Sequence, residues 1–486
     1  MSLSTTSSVV DEPASAPASS VGGPRMSIVA TALILIVSML APQLDSTVTN
    51  VALNTFSRDF AVSLSTVQWI ASAYLLAQAV AVPVIGWASK RFGQKTMWLA
   101  SVLAFLVGSV GAALSWNFGS LLVFRVIQGA ACGVETGLVT VILVGLAGGK
   151  GLGSLMATIS LPTIIVPVLG PVIGGAIVTN LSWRWIFWIN VPLCVVGAIL
   201  AWRALPRDTR DRSRRFDGMG LGLAGVGTAV ALYGVSRAGA LGTFGAPTVL
   251  LPLAVGVVLL VCFVFWSLHR DDPAVNVRVL KIGSFSAASI VLMIGMFAIN
   301  GSTLLLPLFW QDLRGATPLM AGVALIPQAL GNLATRGIAG KLTDRVGAKY
   351  VVIVAVLVAT AGTVPMVFVS GTTSWWVLAV ILFVRGLGLG GIMVPVMAAT
   401  FFDVPKAQVD SATIVSRTMQ TMGAAFGAAL AAVLLEWGIN GRHLVPLSSF
   451  HMVFAVVSAL TLVTAFVALR MRGRAPLDVE AREAAL

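Results

Sequence analysis

An all-α membrane protein with fourteen transmembrane helices is what the sequence predicts, and three observations carry that expectation. Only 10% of the 486 residues are charged and 57% are hydrophobic, whereas an ordinary soluble domain is roughly 25% charged. The apolar residues collect in long runs, such as Ile28 to Leu40 continuing towards Val51 and Val351 to Val369. Each is long enough to cross a hydrocarbon core of about 30 Å as a helix. The basic residues fall mainly in alternate connections between the runs, as the positive-inside rule requires. Within lipid each segment must satisfy its own backbone polar groups, so helices follow.

Spans are expected near residues 28–52, 64–88, 96–116, 118–140, 152–179, 184–204, 217–236, 247–268, 284–309, 319–339, 349–370, 374–400, 409–437 and 449–470. An even number places both termini on one side, and the basic residues make that side the cytoplasm. The inner connections then hold Arg25, Lys90, Arg91, Lys95, Lys150, the cluster from Arg203 to Arg215, Arg270, Arg278, Lys281, Arg336, Lys341, Arg345, Lys349, Lys406 and the arginines of the tail. Roughly 23 basic residues face inward by this count and about 5 outward, the latter being Arg58, Arg184, Arg237, Arg314 and Arg442. The net charge of +13 is therefore topological. It implies no nucleic-acid partner, while the inner loops suit contact with anionic membrane lipid.

Residues 1–26, rich in Ser, Ala and Pro with Asp11 and Glu12, lack the layout of a cleaved signal and read as a disordered cytoplasmic tail. Residues 471–486 form a second cytoplasmic tail. Cys132, Cys194 and Cys262 stand singly in apolar runs and read as small buried packing residues. His269, His443 and His451 lack metal-ligand spacing. Gly145 to Gly151 with Lys150 imitates a phosphate loop, but Gly151 stands where a Ser or Thr would hold magnesium. No metal, no cofactor, no ATP-driven step and no enzymatic activity is expected. Without a sizeable soluble domain, a membrane scaffold or sensor is disfavoured as well.

The chain repeats. Gly86-Trp-Ala-Ser-Lys90-Arg91-Phe-Gly93-Gln-Lys95 follows the second span and Gly340-Lys-Leu-Thr-Asp344-Arg345-Val-Gly347-Ala-Lys349 follows the tenth, matching at Gly, Arg, Gly and Lys about 254 residues apart. A second echo sets Phe124-Arg125-Val-Ile-Gln128-Gly129 against Val384-Arg385-Gly-Leu-Gly388. Two six-helix bundles follow, over residues 27–205 and 281–470. A basic linker and an inserted helix pair occupy residues 206–280 between them.

These motifs resemble those of the fourteen-span drug:proton antiporters of the major facilitator superfamily, over nearly the whole chain from Ile28 to about Arg470. Leu44-Asp45-Ser-Thr-Val-Thr-Asn50-Val-Ala-Leu in span one is similar to the family's acidic first-helix motif. The Gly86 loop and Arg125-x-x-Gln128-Gly129 resemble its gating-loop and fourth-helix signatures. Gly170-Pro171-Val-Ile-Gly174-Gly175 in span five is similar to its antiporter signature, and Trp183-Arg-Trp-Ile-Phe187-Trp-Ile-Asn190-Val-Pro192 follows in order. The resemblance implies a major facilitator fold that works as a monomer, binds small molecules and protons, and exports drugs or other small, mostly hydrophobic compounds. The energy source would be the proton gradient and the location a bacterial plasma membrane. Export of an endogenous metabolite, siderophore or lipid, or proton-linked uptake, is open on the same fold.

The physics of the residues runs alongside. An ionised Asp45 within span one costs roughly 2.5–3.5 kcal/mol or more, so it pairs or takes a proton. Arg125 falls at a similar depth in span four. Asp45 is expected to be the main proton-binding carboxylate, with Arg125 modulating it; a static ion pair is the alternative. Glu135, further into span four, either assists the proton or a cationic substrate or sits neutral against a Gly-rich helix. Asp45, Gln128, Glu135 and Asn300 are the candidates for the substrate cavity, which spans 1, 2, 4, 5 and their repeats should line. Asn300 takes the place of Asp45 in the second bundle, and Arg385 and Arg417 are buried there without an obvious carboxylate. Gly170, Pro171, Gly174 and Gly175 should kink span five and pack it closely on a partner helix. The glycines of the repeated loops permit sharp turns while Arg91, Lys95, Arg345 and Lys349 pair with acids or helix C-terminal carbonyls in one gate state; simple positive-inside anchoring is the rival. Lys90 stands where the family has an Asp, kept as Asp344 in the second copy, so the first loop should lack the acidic gate contact.

Overall fold

The structure, a computed structural model, describes residues 28–147, 152–159, 162–206, 208, 216–271, 273–316, 318–441 and 446–471. Lys150, Gly151, most of the cluster from Arg203 to Arg215, Arg442, His443 and the tails over residues 1–26 and 472–486 lie outside the described residues.

The first group of helices comprises α1 (Ile28–Val51), α2 (Leu53–Asp59), α3 (Leu64–Val67), α4 (Trp69–Ala81), α5 (Val84–Phe92), α6 (Gln94–Ala113) and α7 (Phe118–Ala147). After them come α8 (Leu152–Ile159), α9 (Pro162–Asn180), α10 (Trp185–Trp188) and α11 (Asn190–Ala204). The inserted pair is α12 (Gly218–Leu241) and α13 (Pro247–Leu268). The second group comprises α14 (Gly283–Leu308), α15 (Pro318–Ala324), α16 (Ile326–Val346), α17 (Ala348–Thr363), α18 (Trp375–Ala399), α19 (Val409–Glu436) and α20 (Pro446–Ala468). Among the described residues no strand occurs.

Eleven of these segments are long and apolar enough to cross a membrane, and α4 with α5 makes up to twelve if that bent pair is one span. The other two expected crossings correspond to interrupted helices. One is α8 with α9, the other α15 with α16, where α16 ends in the charged run Lys341 to Arg345. A count of fourteen therefore goes beyond what length and composition alone support.

Local chemistry explains the breaks. Pro83 supplies no N–H, and α4 and α5 meet there at 59°. Gly93 and Gly347 take φ of +95° and +98° between consecutive helices, a conformation that side chains with a Cβ rarely adopt. Asp217 caps α12 by accepting from the Gly220 N–H at 3.1 Å, and Gly242 closes the helix in the left-handed region.

Within the first group α1 packs on α9 and α11, and α7 on α4 and α6; within the second, α14 packs on α19 and α20, and α18 on α16 and α17. The inserted α12 bridges the two, touching α4 and α19. Burial orders the helices by depth: 72% of the apolar window of α7 is buried against 17% for α13, which packs on α12 along one face and leaves most of its surface facing outward.

The repeat is visible as matched close approaches. A Cβ on Gly129 would strike the Tyr74 carbonyl, and one on Gly386 the Gln328 carbonyl; Gly133 meets Gln78 as Gly390 meets Asn332. This corrects the second sequence echo. Arg385, immediately before Gly386, occupies the place of Gln128, immediately before Gly129, and not that of Arg125.

One smaller reading also changes. Cys132 and Cys194 are buried, but Cys262 on α13 is exposed, because that helix faces outward. Trp183 of the motif is 2% exposed, donates to Asp59 Oδ2 at 2.7 Å and packs edge-on against Phe56.

Candidate functional site

The centre of the first group is a buried polar cage. Arg125 on α7 forms an ion pair with Asp45 on α1, each about 1% exposed. Pro42 belongs to the same stretch of α1, and its carbonyl accepts the Tyr74 hydroxyl at 3.2 Å, which ties α4 to that helix. Gln128 accepts from Arg125 Nη1 at 3.0 Å and donates to Ser109 Oγ at 2.8 Å and to Asp45 Oδ1 at 3.4 Å. Asn190, at the first position of α11, donates to the same Asp45 oxygen at 2.9 Å. The Arg125 guanidinium lies 4.3 Å from the centre of the Tyr74 ring and its Nε donates to the Ile70 carbonyl at 3.3 Å. Three helices, α1, α7 and α11, thus meet at one carboxylate, and α4 and α6 complete the cage around it. A buried pair of this kind repays desolvation only through such added hydrogen bonds, and removing one partner leaves a charge stranded.

Asp45, Arg125 and Gln128 are brought together as the sequence suggested. Asn190 appeared there only as a motif position, and Ser109 and Tyr74 not at all. The available signals were a lone Asn within an apolar helix and one of only 3 tyrosines in the chain.

Glu135 does not join this cage. It is 1% exposed, and neither carboxylate oxygen has a hydrogen-bond partner among the described residues.

The second group holds a different centre. Arg385 donates to Gln328, Ser302 and Thr363, and no carboxylate contacts it among the described residues. Asn300 does not stand in for Asp45: its amide donates to the Met296 carbonyl at 3.0 Å along its own helix, while Ser302 reaches the arginine. The cause is the helical turn, which points these two residues to different sides of α14.

A cavity of about 640 Å³ lies between the groups. Its walls are α4, α12 and α19, with Thr136 of α7 and Asn300 of α14. Of the four sequence candidates only Asn300 lines it. Asp45, Gln128 and Glu135 are shut inside the helix packing instead, and the inserted α12 supplies a wall that the expected set of spans 1, 2, 4, 5 and their repeats did not include.

The glycine motif packs α9 onto α1. A Cβ on Gly170 would collide with Thr47, and one on Gly174 would lie 3.1 Å from the Val48 side chain, whereas Gly175 has open space. Thr47 and Val48 belong to the turn that follows Asp45, so the motif presses directly on the helix carrying that carboxylate. Pro171 continues α9. The sequence reading missed the equivalent in the second group, where Gly423 and Gly427 of α19 meet the Met293 and Phe297 carbonyls of α14.

The repeated loops form two latches at the end of the molecule where the linker lies. Asp344 accepts from the backbone N–H groups of Gly153 and Ser154 at 2.9 and 3.1 Å and from Ser154 Oγ at 2.8 Å. A carboxylate at the amino end of α8 meets its unsatisfied N–H groups and favourable dipole. Gly340 and Gly153 touch backbone to backbone beside it: a Cβ on Gly340 would lie 2.8 Å from the Gly153 carbonyl. The first copy also crosses between the groups, contrary to expectation, because the charges are exchanged. Lys90 Nζ pairs with Asp410 Oδ2 at 2.9 Å and donates to the Ala407 carbonyl at 3.1 Å, and Asp410 sits in the first turn of α19. The carboxylate that the second copy keeps in the loop belongs here to the helix. Gly86 stands over this contact, 3.1 Å from the Ala274 carbonyl once a Cβ is added.

Lys95 binds within its own group. Its backbone N–H donates to Asp208 Oδ1 at 2.7 Å and its ammonium to the Leu205 carbonyl at 3.1 Å, at the end of α11, while a Cβ at Gly93 would collide with the Asp208 side chain. Arg91 lies near the end of α5. Arg345 and Lys349, flanking Gly347, make no ion pair among the described residues.

The site thus combines a motif-bearing repeat, a buried Asp–Arg pair and latches that join the two groups at one end. The chain is 34% identical over 418 residues to the multidrug resistance protein B homolog of Mycobacterium tuberculosis, spanning 85% of this chain and 77% of that one. It is 27% identical over 398 residues to the multidrug export protein EmrB of Escherichia coli, spanning 80% and 77%. Its fold matches the proton:xylose symporter XylE with a TM-score of 0.64 at 15% identity, over 93% of this chain and 98% of that one. The sequence pattern of the Major Facilitator Superfamily covers residues 33–428, with a second match over 288–485, and the chain is accordingly a member of that family of membrane transporters.

Proposed function

We propose that this protein exports drugs or similar small organic compounds across a bacterial plasma membrane in exchange for protons, as a monomer without a cofactor and with both termini in the cytoplasm. The observation that carries the reading is Asp45, a carboxylate withdrawn from water whose charge is answered by Arg125 and by the amides of Gln128 and Asn190. Protonation of Asp45 removes the partner that holds Arg125, loosens α7 from α1 and favours the other arrangement of the two groups. Relatives named for multidrug resistance and export support the substrate range.

In the structure both latches are closed at the linker end, and the cavity lies towards the opposite ends of α4, α12 and α19. With the basic linker in the cytoplasm this is the outward-directed state. The proton enters here, the latches then part, and substrate binds from the cytoplasm or inner leaflet.

The test follows uptake of a fluorescent dye substrate into inverted membrane vesicles. Asp45→Asn is expected to keep dye binding and to lose the response to an imposed pH gradient, and retained coupling would remove Asp45 from this role.

A further inference from the structure

Among the described residues the cavity walls carry two arginines and no acidic residue. Arg417 on α19 lies at the inner end, held by a single hydrogen bond from Nη2 to the Thr136 carbonyl at 3.1 Å. Arg237 on α12 lies further out, its buried Nε without a hydrogen-bond partner among the described residues. Neither forms an ion pair among the described residues. Each guanidinium offers five donors in a planar fork suited to a carboxylate, sulfonate or phosphate. A charge held inside the membrane without a counter-ion is costly, and an anionic ligand would offset that cost where a cation would increase it.

The remaining walls fit an aromatic or aliphatic body. Trp69 and Tyr233 stack with ring centroids 5.8 Å apart and both line the cavity, and α19 faces it with Ala424, Ala425, Ala428, Ala429 and Ala432. A volume of about 640 Å³ lies within the usual range for a drug-sized ligand.

We infer that the transported compounds are amphipathic organic anions whose acidic group binds Arg417, with Arg237 as a second station nearer the mouth. The inference rests on the export reading above and narrows its substrate class. It also fixes the electrical sign of transport: an anion leaving for each proton entering moves two charges in one direction, whereas exchange of a cation for a proton moves none.

The experiment is calorimetric titration of the purified full chain with three probes of one shape: 2-naphthylacetate, the neutral 2-naphthylacetamide and the cationic (2-naphthylmethyl)trimethylammonium. The acetate is expected to bind about tenfold or more tightly than the amide, as a charge-assisted hydrogen bond implies, and the cation more weakly than either. Equal binding of the three, or preference for the cation, overturns the inference; an intact dye response to the pH gradient in the same preparation would then leave the export reading standing. Arg417→Gln is expected to remove the preference for the acetate over the amide, and Arg417→Lys to restore part of it. Should both probes weaken equally in Arg417→Gln, the anion contact does not belong to that residue. The comparison of probes on the unaltered protein decides the substrate class even where a variant fails to fold.

Discussion

Lys90 and Asp410 face each other across the two helix groups at 2.9 Å with the polarity opposite to that of the second latch, where the acid belongs to the loop. Because the pair is partly open to solvent, with side-chain exposures of 30% and 10%, it contributes about 1 kcal/mol to the closed state. Lys90→Asp is expected to bring like charges together and to open the linker end more often, shown by faster labelling of a cysteine placed there. The double variant Lys90→Asp with Asp410→Lys should return labelling towards the original rate, and an additive double variant would deny the pairing.

Asp344 anchors the other latch through three hydrogen bonds to α8. Asp344→Asn keeps the shape but loses the charge, at a cost of about 1 kcal/mol, and its NH2 cannot accept the N–H that one of the two carboxylate oxygens receives. Asp344→Ala loses all three bonds. Transport rates of the two should fall in that order if the latch limits the cycle, and equal rates in both would mean that it does not.

Gly129 permits α7 to rest on the Tyr74 carbonyl of α4. Gly129→Ala must push these helices apart, costing about 1–3 kcal/mol, while Gly175→Ala enters open space. A lower melting temperature for the first and an unchanged one for the second is the expected pattern in detergent.

Asp217 ties the start of α12 to α13 and the segment after it. Burial opposes its ionisation, yet the N–H groups of Ala274 and Gly220, the Trp266 indole and Arg270 hold the carboxyl below its ordinary value. Since the folded value is depressed, its stabilisation is complete above the ordinary carboxylate range and is lost as pH falls through the folded value. Asp217→Asn is therefore expected to melt earlier at neutral pH, with the difference from the unaltered protein shrinking in strong acid.

Much of this was legible in the sequence because apolar runs and repeated Gly–Arg–Gly–Lys loops are local patterns with direct physical meaning. Asp45 and Arg125 could be paired from depth alone, since both lie in spans of known length. Asn190 and Ser109 escaped because a polar residue in an apolar helix says nothing about which neighbour it meets. Lys90 misled for a related reason: absence of an acid in the loop did not reveal that Asp410, far along the chain, had taken over its charge. Asn300 was misplaced because one residue along a helix is a rotation of about 100°, which a sequence offset cannot resolve.

The bend at Pro83 makes one stretch of chain serve both ends of the protein. Upstream of it α4 forms a wall of the cavity, and downstream α5 ends near Lys90, so α5 is a lever arm roughly 13 Å long. A tilt of about 5° at its base swings the tip by about 1 Å over that length, which is comparable with the slack a short ion pair tolerates. A ligand that leans on the wall can thereby work the bolt on the far side without touching it.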